Sequence, residues 1–184
     1  VRPFLEREQL FPDEIGPTQI SQFQLTSVNG RSVEMPLDLG AFGISRFAFD
    51  EFLFQKAVKA GVRVLHEEVT KIEQHDERAL MVAGSDVHEV TVVLCAHGKR
   101  SRLDHTLDRS FIRARSPYVG VKYHIKTNHP AHLIALHNFK NGYCGISNVE
   151  NGVSNLCYLA HRDLLRAHKP LGKWKRLYFI AILF

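Results

Sequence analysis

Apolar positions along this chain change their period from segment to segment, and the changes mark out its elements. Residues 1–24 read as one short helix and a loop: Phe4, Leu5 and Leu10 are apolar, and Pro12, Gly16 and Pro17 then interrupt. Phe23 to Val28 alternates, Asn29-Gly30 follows, and a second strand is predicted over Arg31–Met35 before Pro36. Asn-Gly is a strong two-residue hairpin signal because both positions tolerate positive φ. Gly40-Ala41-Phe42-Gly43 reads as a flexible approach to Ser45-Arg46. Phe49, Phe52, Leu53, Ala57 and Ala60 then recur at helical spacing and predict a helix over about 47–60. Asp50 and Glu51 are placed in its first turn, where the helix dipole favours acids, and Gly61 is placed to terminate it in a left-handed conformation.

Short strands are predicted next over Val62–Leu65, Val69–Gln74, Ala79–Val82 and Val87–Ala96, with turns at His75–Arg78 and Gly84–Asp86. Val92, Val93 and Leu94 are consecutive apolar positions, as in a strand buried on both faces. From Tyr118 the pattern becomes four strands, Tyr118–Lys126, Leu133–Phe139, Tyr143–Val149 and Asn155–Ala160. Asn128-His129-Pro130, Asn141-Gly142 and Asn151-Gly152 separate them, which predicts an antiparallel sheet. A helix begins at Arg162, Pro170-Leu171-Gly172 interrupts it, and Leu177–Phe184 is apolar without an amphipathic period. No internal repeat and no low-complexity segment occurs.

Composition changes this picture in two places. Hydrophobic residues make up 45% of the 184 positions, enough for a core. The formal charge of +5 comes entirely from the segment after His161, where Arg162, Arg166, Lys169, Lys173, Lys175 and Arg176 face only Asp163. The rest of the chain is neutral, which argues against a nucleic-acid partner, whose binding would need a basic footprint across a folded face. Cys95, Cys144 and Cys157 are odd in number and form no CxxC, which predicts buried thiols in a reducing compartment rather than a disulfide framework. No apolar segment approaches the ~20 residues of a membrane span, and there is no signal-peptide pattern at Val1, so cytoplasmic residence is the default expectation.

Candidate chemistry centres on one turn. After the run from Val90 to Ala96, His97-Gly98-Lys99-Arg100-Ser101 can offer backbone N–H groups, a hydroxyl and two cations to an anionic ligand. Glycine there allows a ligand to approach the backbone closely, and a tight solvent turn would carry the same residues. There is no GxGxxG and no Walker sequence. His124, His129, His132 and His137, with Cys144 nearby, lack the paired spacing of a structural zinc site and predict ordinary polar strand positions, so no metal is expected. His137 beside a substrate cavity could act in acid–base work. No Ser–His–Asp or Cys–His triad can be assembled, and no residue is assigned a catalytic role.

Ser45-Arg46-x-x-x-Asp50-x-x-Leu53, followed by Ala57 and Gly61-Val62, resembles the second landmark of FAD-dependent oxidoreductases of the para-hydroxybenzoate hydroxylase and geranylgeranyl reductase type. Cys95-Ala96-His97-Gly98-Lys99-Arg100-Ser101 resembles the later turn of that family, with His97 where many members have Asp. Tyr118-Val-Gly-Val-Lys-Tyr, Leu136-His-Asn-Phe and Gly142-Tyr-Cys-Gly through Asn155-Leu-Cys-Tyr look like strands of its substrate domain. The resemblance covers roughly residues 1–165. It implies an α/β (α+β) fold: a partial FAD-binding three-layer domain plus an antiparallel substrate-domain sheet. Residues 1–44 would form the substrate-domain helix and hairpin, 45–113 the partial FAD-binding domain and 114–161 the substrate-domain sheet, with 162–184 an atypical basic and apolar tail.

The same resemblance implies FAD as cofactor, NAD(P)H as a candidate electron donor and a small apolar organic substrate that is reduced or hydroxylated. Arg46 would contact FAD phosphate or ribityl oxygens through its fork of donors. The backbone of Val69 would meet adenine, and Gly98 and Ser101 would complete the contacts. The family's N-terminal Gly-rich turn and its C-terminal Gly-Asp motif do not occur between Val1 and Phe184, so an internal fragment, inactive and weak in FAD binding by itself, is the expectation. A truncated or frameshifted origin is the matching expectation for the tail. A non-enzymatic binding module or remnant is the alternative. Nucleic-acid binding could act only through the tail.

Overall fold

The computed structural model describes residues 1–98, 101–114, 116–167 and 182–183. The chain divides into two compact units: Val1–Val62 with Pro117–Phe184, and Arg63–Ser116.

The first unit opens with α1 (Arg2–Arg7) and a 3-10 turn (Asp13–Ile15) that ends on left-handed Gly16. A hairpin follows, β1 (Thr18–Thr26) and β2 (Ser32–Gly43), closed where Asn29-Gly30 predicts it. β2 is much longer than its apolar pattern suggests. It runs through Pro36 because it is the edge strand of its sheet, where a missing N–H breaks no ladder. A wide bulge makes the extra length: Ile20 faces Ala41 and Gln22 faces Pro36, so Leu37–Gly40 oppose Ser21 alone. The 40–43 segment is thus strand rather than flexible approach. The backbone N–H groups of Ser21 and Gln22 both donate to the His132 carbonyl instead, at 2.9 and 3.0 Å.

α2 spans Arg46–Lys59. The Ser45 hydroxyl caps it by accepting from Ala48 N–H at 3.1 Å. Gly61, at φ +85°, closes the C-terminus, with its N–H and that of Val62 donating back to Val58 and Ala57. The helix starts one residue earlier than the apolar period indicates, which puts Asp50 and Glu51 beyond its first turn. Of its apolar face only Phe52 is buried.

The unit is completed by β6 (Tyr118–Ile125), β7 (Leu133–Phe139), β8 (Gly142–Asn148), β9 (Ser154–His161), α4 (Arg162–Ala167) and the two-residue β10 (Ile182–Leu183). β7 to β9 is an antiparallel meander, and Asn141 and Asn151 adopt positive φ at its turns. The sheet is mixed, not purely antiparallel: its order is β10-β6-β9-β8-β7-β1-β2, and β1 joins β7 in parallel. Its anchor is the β8–β9 turn. Buried Ser154 donates to Asn148 Oδ1 at 2.6 Å, Asn148 Nδ2 donates to the His129 carbonyl at 2.9 Å, and Thr18 Oγ1 donates to the Val149 carbonyl at 2.6 Å. Gly43 passes so close that a methyl group there would sit 1.9 Å from the Asn148 carbonyl oxygen.

The second unit holds a three-stranded antiparallel meander, β3 (Val69–His75), β4 (Arg78–Ala83) and β5 (Asp86–Val90), and the short α3 (Arg102–Thr106). Ala79 and Ala83 of β4 are its buried strand positions. One predicted strand is absent and another is cut short. Val62–Leu65 has no strand pairing, and β5 stops at Val90, so the long buried strand to Ala96 is not formed. Val92 is 70% and Leu94 88% exposed. A strand buried on both faces needs a neighbour on each edge and a layer above and below, and the three strands of this sheet end at β5. Lys99, Arg100, Pro170–Gly172 and, except for β10, the apolar ending from Leu177 lie outside the described residues.

Candidate functional site

Arg46 is the first residue of α2, in the first unit. Its side chain is 83% exposed and its Nε lies 3.1 Å from Asp50 Oδ1, an i,i+4 ion pair of the ordinary surface kind. The pair orients the guanidinium along the helix start and leaves its terminal nitrogens for another acceptor. The helix start is itself held. The Ser45 backbone N–H donates to Glu150 Oε2 at 2.7 Å. Burial pushes the Glu150 carboxyl up, but the Ser45 hydroxyl and N–H, its own backbone N–H and the charge of His124 outweigh that and hold it below the ordinary carboxylate value.

Val69, Gly98 and Ser101 belong to the second unit. Val69 is the first residue of β3, opposite Ala83. Gly98 has φ +74°, and a Cβ built there would enter open space. Glycine is therefore required by the backbone conformation, and the turn stays accessible from that side. The Ser101 hydroxyl accepts from Leu103 N–H at 3.2 Å as the cap of α3.

A cluster that sequence order did not reveal lies beside this turn. Asp104 is 2% exposed; its Oδ1 is 3.1 Å from His97 Nε2 and 3.7 Å from Arg109 Nε. Its Oδ2 is buried without a hydrogen-bond partner among the described residues. The carboxylate fixes the His97 ring, so the histidine enters the turn as an oriented group. The only signal in the sequence is an acid three positions after Ser101.

Arg46 belongs to the first unit, whereas Val69, Gly98 and Ser101 belong to the second. The histidines do not gather. His137 Nδ1 lies 3.0 Å from Thr26 Oγ1, and His129 Nε2 lies 2.9 Å from the Leu133 carbonyl. His124 falls on the sheet face opposite to His137 by strand register. The prediction of buried thiols is corrected: Cys95 is exposed, because the strand meant to bury it is not formed, and Cys144 and Cys157 are half-buried. Cys144 and Cys157 point to opposite faces of their sheet, since Cys157 pairs with Gly145 and Cys144 with Tyr158.

No helix among the described residues is long and apolar enough to cross a membrane. No family model and no curated protein matches the chain. Solved structures do. A flavoprotein/dehydrogenase from Cytophaga hutchinsonii superimposes with a TM-score of 0.74 at 15% identity, over 95% of this chain and 48% of that one. A triple mutant of the flavin-dependent brominase Bmp2 gives 0.70 at 18% identity, over 95% and 50%. Klebsiella pneumoniae HpxO, complexed with FAD and uric acid, gives 0.58 at 14% identity, over 80% and 43%. The chain thus spans half or less of the length of these structures and shares their α/β fold.

Proposed function

We propose that this chain is part of an FAD-dependent oxidoreductase, of reductase or monooxygenase type, acting on a small apolar organic substrate. What supports this reading is the fold, shared over 95% of the chain with a flavoprotein and a flavin-dependent brominase. The finer placement, with para-hydroxybenzoate hydroxylase and geranylgeranyl reductase, rests on the Ser45–Gly61 and Cys95–Ser101 motifs. In this reading residues 45–113 serve the cofactor and 1–44 with 114–161 the substrate.

FAD, when bound, supplies the two-electron chemistry, a hydride delivered to or from its N5, with NAD(P)H the candidate donor. The chain's own residues bind and orient. Arg46 is assigned to phosphate or ribityl oxygens, the Val69 backbone to adenine, and the Gly98 turn with the Ser101 hydroxyl to the remaining oxygens. Asp104 holds His97 beside that turn and keeps its ring from rotating away. No residue is assigned a proton-transfer role.

A titration of the protein with FAD, followed by flavin fluorescence and absorbance, tests the proposal. Weak but saturable binding is expected, weakened about tenfold further by Arg46→Ala and more by Gly98→Val, whose side chain would meet the ligand and oppose a positive φ. Binding unaffected by both substitutions would remove these assignments, and no binding would remove the cofactor role of this chain.

A further inference from the structure

At the β1–β2 turn the first unit's sheet carries a cavity on the face opposite to His137. Leu25 of β1 and Val33 of β2 are register partners there, one step from the Thr26–His137 pair. They form an apolar floor, and Ser27, Asn29, Arg31 and Asn138 form a polar wall, around a volume of about 400 Å³. That size falls in the ~300–1,000 Å³ range of small-molecule sites. The wall keeps unused donors. Arg31 bonds only through its backbone, so its guanidinium has no partner among the described residues. The first acid along β2, Glu34, takes the other face by strand alternation, and Gln24 Nε2 donates to it at 2.7 Å. Asn29 Oδ1 meets the Ser27 hydroxyl and, at 3.4 Å, the Arg31 backbone N–H. The amide nitrogen of Asn29 is therefore the end left to donate.

A cation without a counter-charge beside an apolar floor is complementary to a ligand with an anionic head and an apolar body. A guanidinium and an amide N–H suit the two oxygens of a carboxylate, which a planar fork of donors binds better than a point charge does. The body is aliphatic rather than aromatic in its match: no aromatic side chain lines the cavity, and the floor is leucine and valine. The floor crosses β2 and β1 to Asn138 on β7. Two strand spacings are roughly 10 Å, the extended length of about eight carbons. We propose that this cavity binds a small aliphatic carboxylate, its head on Arg31 and the Asn29 amide and its chain on Val33 and Leu25. The site uses none of the residues assigned to the flavin, so the inference goes beyond the functional reading above and stands independently of it.

The test is a calorimetric titration of the protein with octanoate, octan-1-ol and acetate. Octan-1-ol keeps the chain without the charge, and acetate keeps the head without the chain. Octanoate is expected to bind saturably, about tenfold more tightly than octan-1-ol and at least about tenfold more tightly than acetate. Arg31→Gln should erase the preference for octanoate while leaving octan-1-ol within about twofold. Asn29→Asp keeps an oxygen for Ser27 and sets a like charge against the head, so it should erase the preference as well. Val33→Ser should weaken octanoate and octan-1-ol alike, by about threefold. Octanoate should also shift the side-chain amide resonances of Asn29 in the wild type. No saturable binding of octanoate, or an unchanged preference in Arg31→Gln, overturns the proposal. So do octanoate-induced shifts confined to His137, Cys144 and Tyr158, which would put the ligand on the other face of the sheet. If Arg31→Gln loses its far-UV circular dichroism, Asn29→Asp decides, and an unchanged preference there overturns it too.

Discussion

Ser154 and Asp104 are the most deeply buried polar side chains of their respective units, and their surroundings differ. Ser154 is matched: its hydroxyl meets Asn148, whose amide in turn meets the His129 carbonyl. Asp104 keeps one oxygen in contact with His97 and Arg109, and its other oxygen is buried without a hydrogen-bond partner among the described residues. The apolar groups do not divide this way: the sheet unit buries Ile20, Val121, Leu133 and Ala135 but exposes Leu39 and Phe47, and the second unit buries Ala79, Ala83 and Leu103 but exposes Val92 and Leu94. A fully paired network specifies one local arrangement, whereas an orphaned buried carboxylate oxygen carries a desolvation cost that its neighbours do not offset. The contrast teaches that the deepest polar group of the first unit is satisfied within the fold and that of the second only in part.

The contrast can be broken most sharply at Gly43. Gly43→Ala forces a methyl group onto the Asn148 carbonyl and should cost about 3 kcal/mol in a urea melt, because backbone rather than a flexible side chain must give way. A cost below ~1 kcal/mol would mean that the β8–β9 turn is not the rigid anchor described. Asp104→Ala should cost less, about 2 kcal/mol, since His97 and Arg109 can turn to water and the orphaned oxygen is removed with the rest. Amide exchange should show the loss in β3, β4 and β5 only; equal loss across the large sheet would erase the distinction between the units.

Glu150 sharpens the comparison through pH. Its carboxyl sits below the usual 4.5 in the folded protein, so its contribution is fully present above that value and is lost as the pH falls through the depressed folded value. Glu150→Gln should flatten the acid limb of a melting-temperature profile and cost under about 1 kcal/mol at neutral pH, the group being partly solvated. The smallest effect is expected at Leu94. Leu94→Ser should stay within about 0.5 kcal/mol because the side chain is already 88% exposed. A loss above ~2 kcal/mol would show that this segment is covered in solution.

Local chemistry was legible where a few neighbouring residues decide it. Asn-Gly steps became turns with positive φ, Ser45 and Gly61 became the caps of α2, and alternating runs became β1 and β6 through β9 within a residue or two of their predicted ends, except for the early start of β1. The positive φ of Gly98 was legible as well, since a glycine after an apolar run is a local signal. Tertiary structure alone decided the rest. A parallel pairing between β1 and β7 brings together residues more than a hundred positions apart, and no local pattern encodes it. The apolar run through Val92 and Leu94 has the composition of a buried strand, but composition supplies neither the edge partners nor the covering layer that burial requires. Asp104 reads as a surface acid until the fold closes around it. The cavity shared by Leu25, Arg31, Val33 and Asn138 exists only once three strands are in register, because side-chain faces are fixed by pairing and not by sequence order.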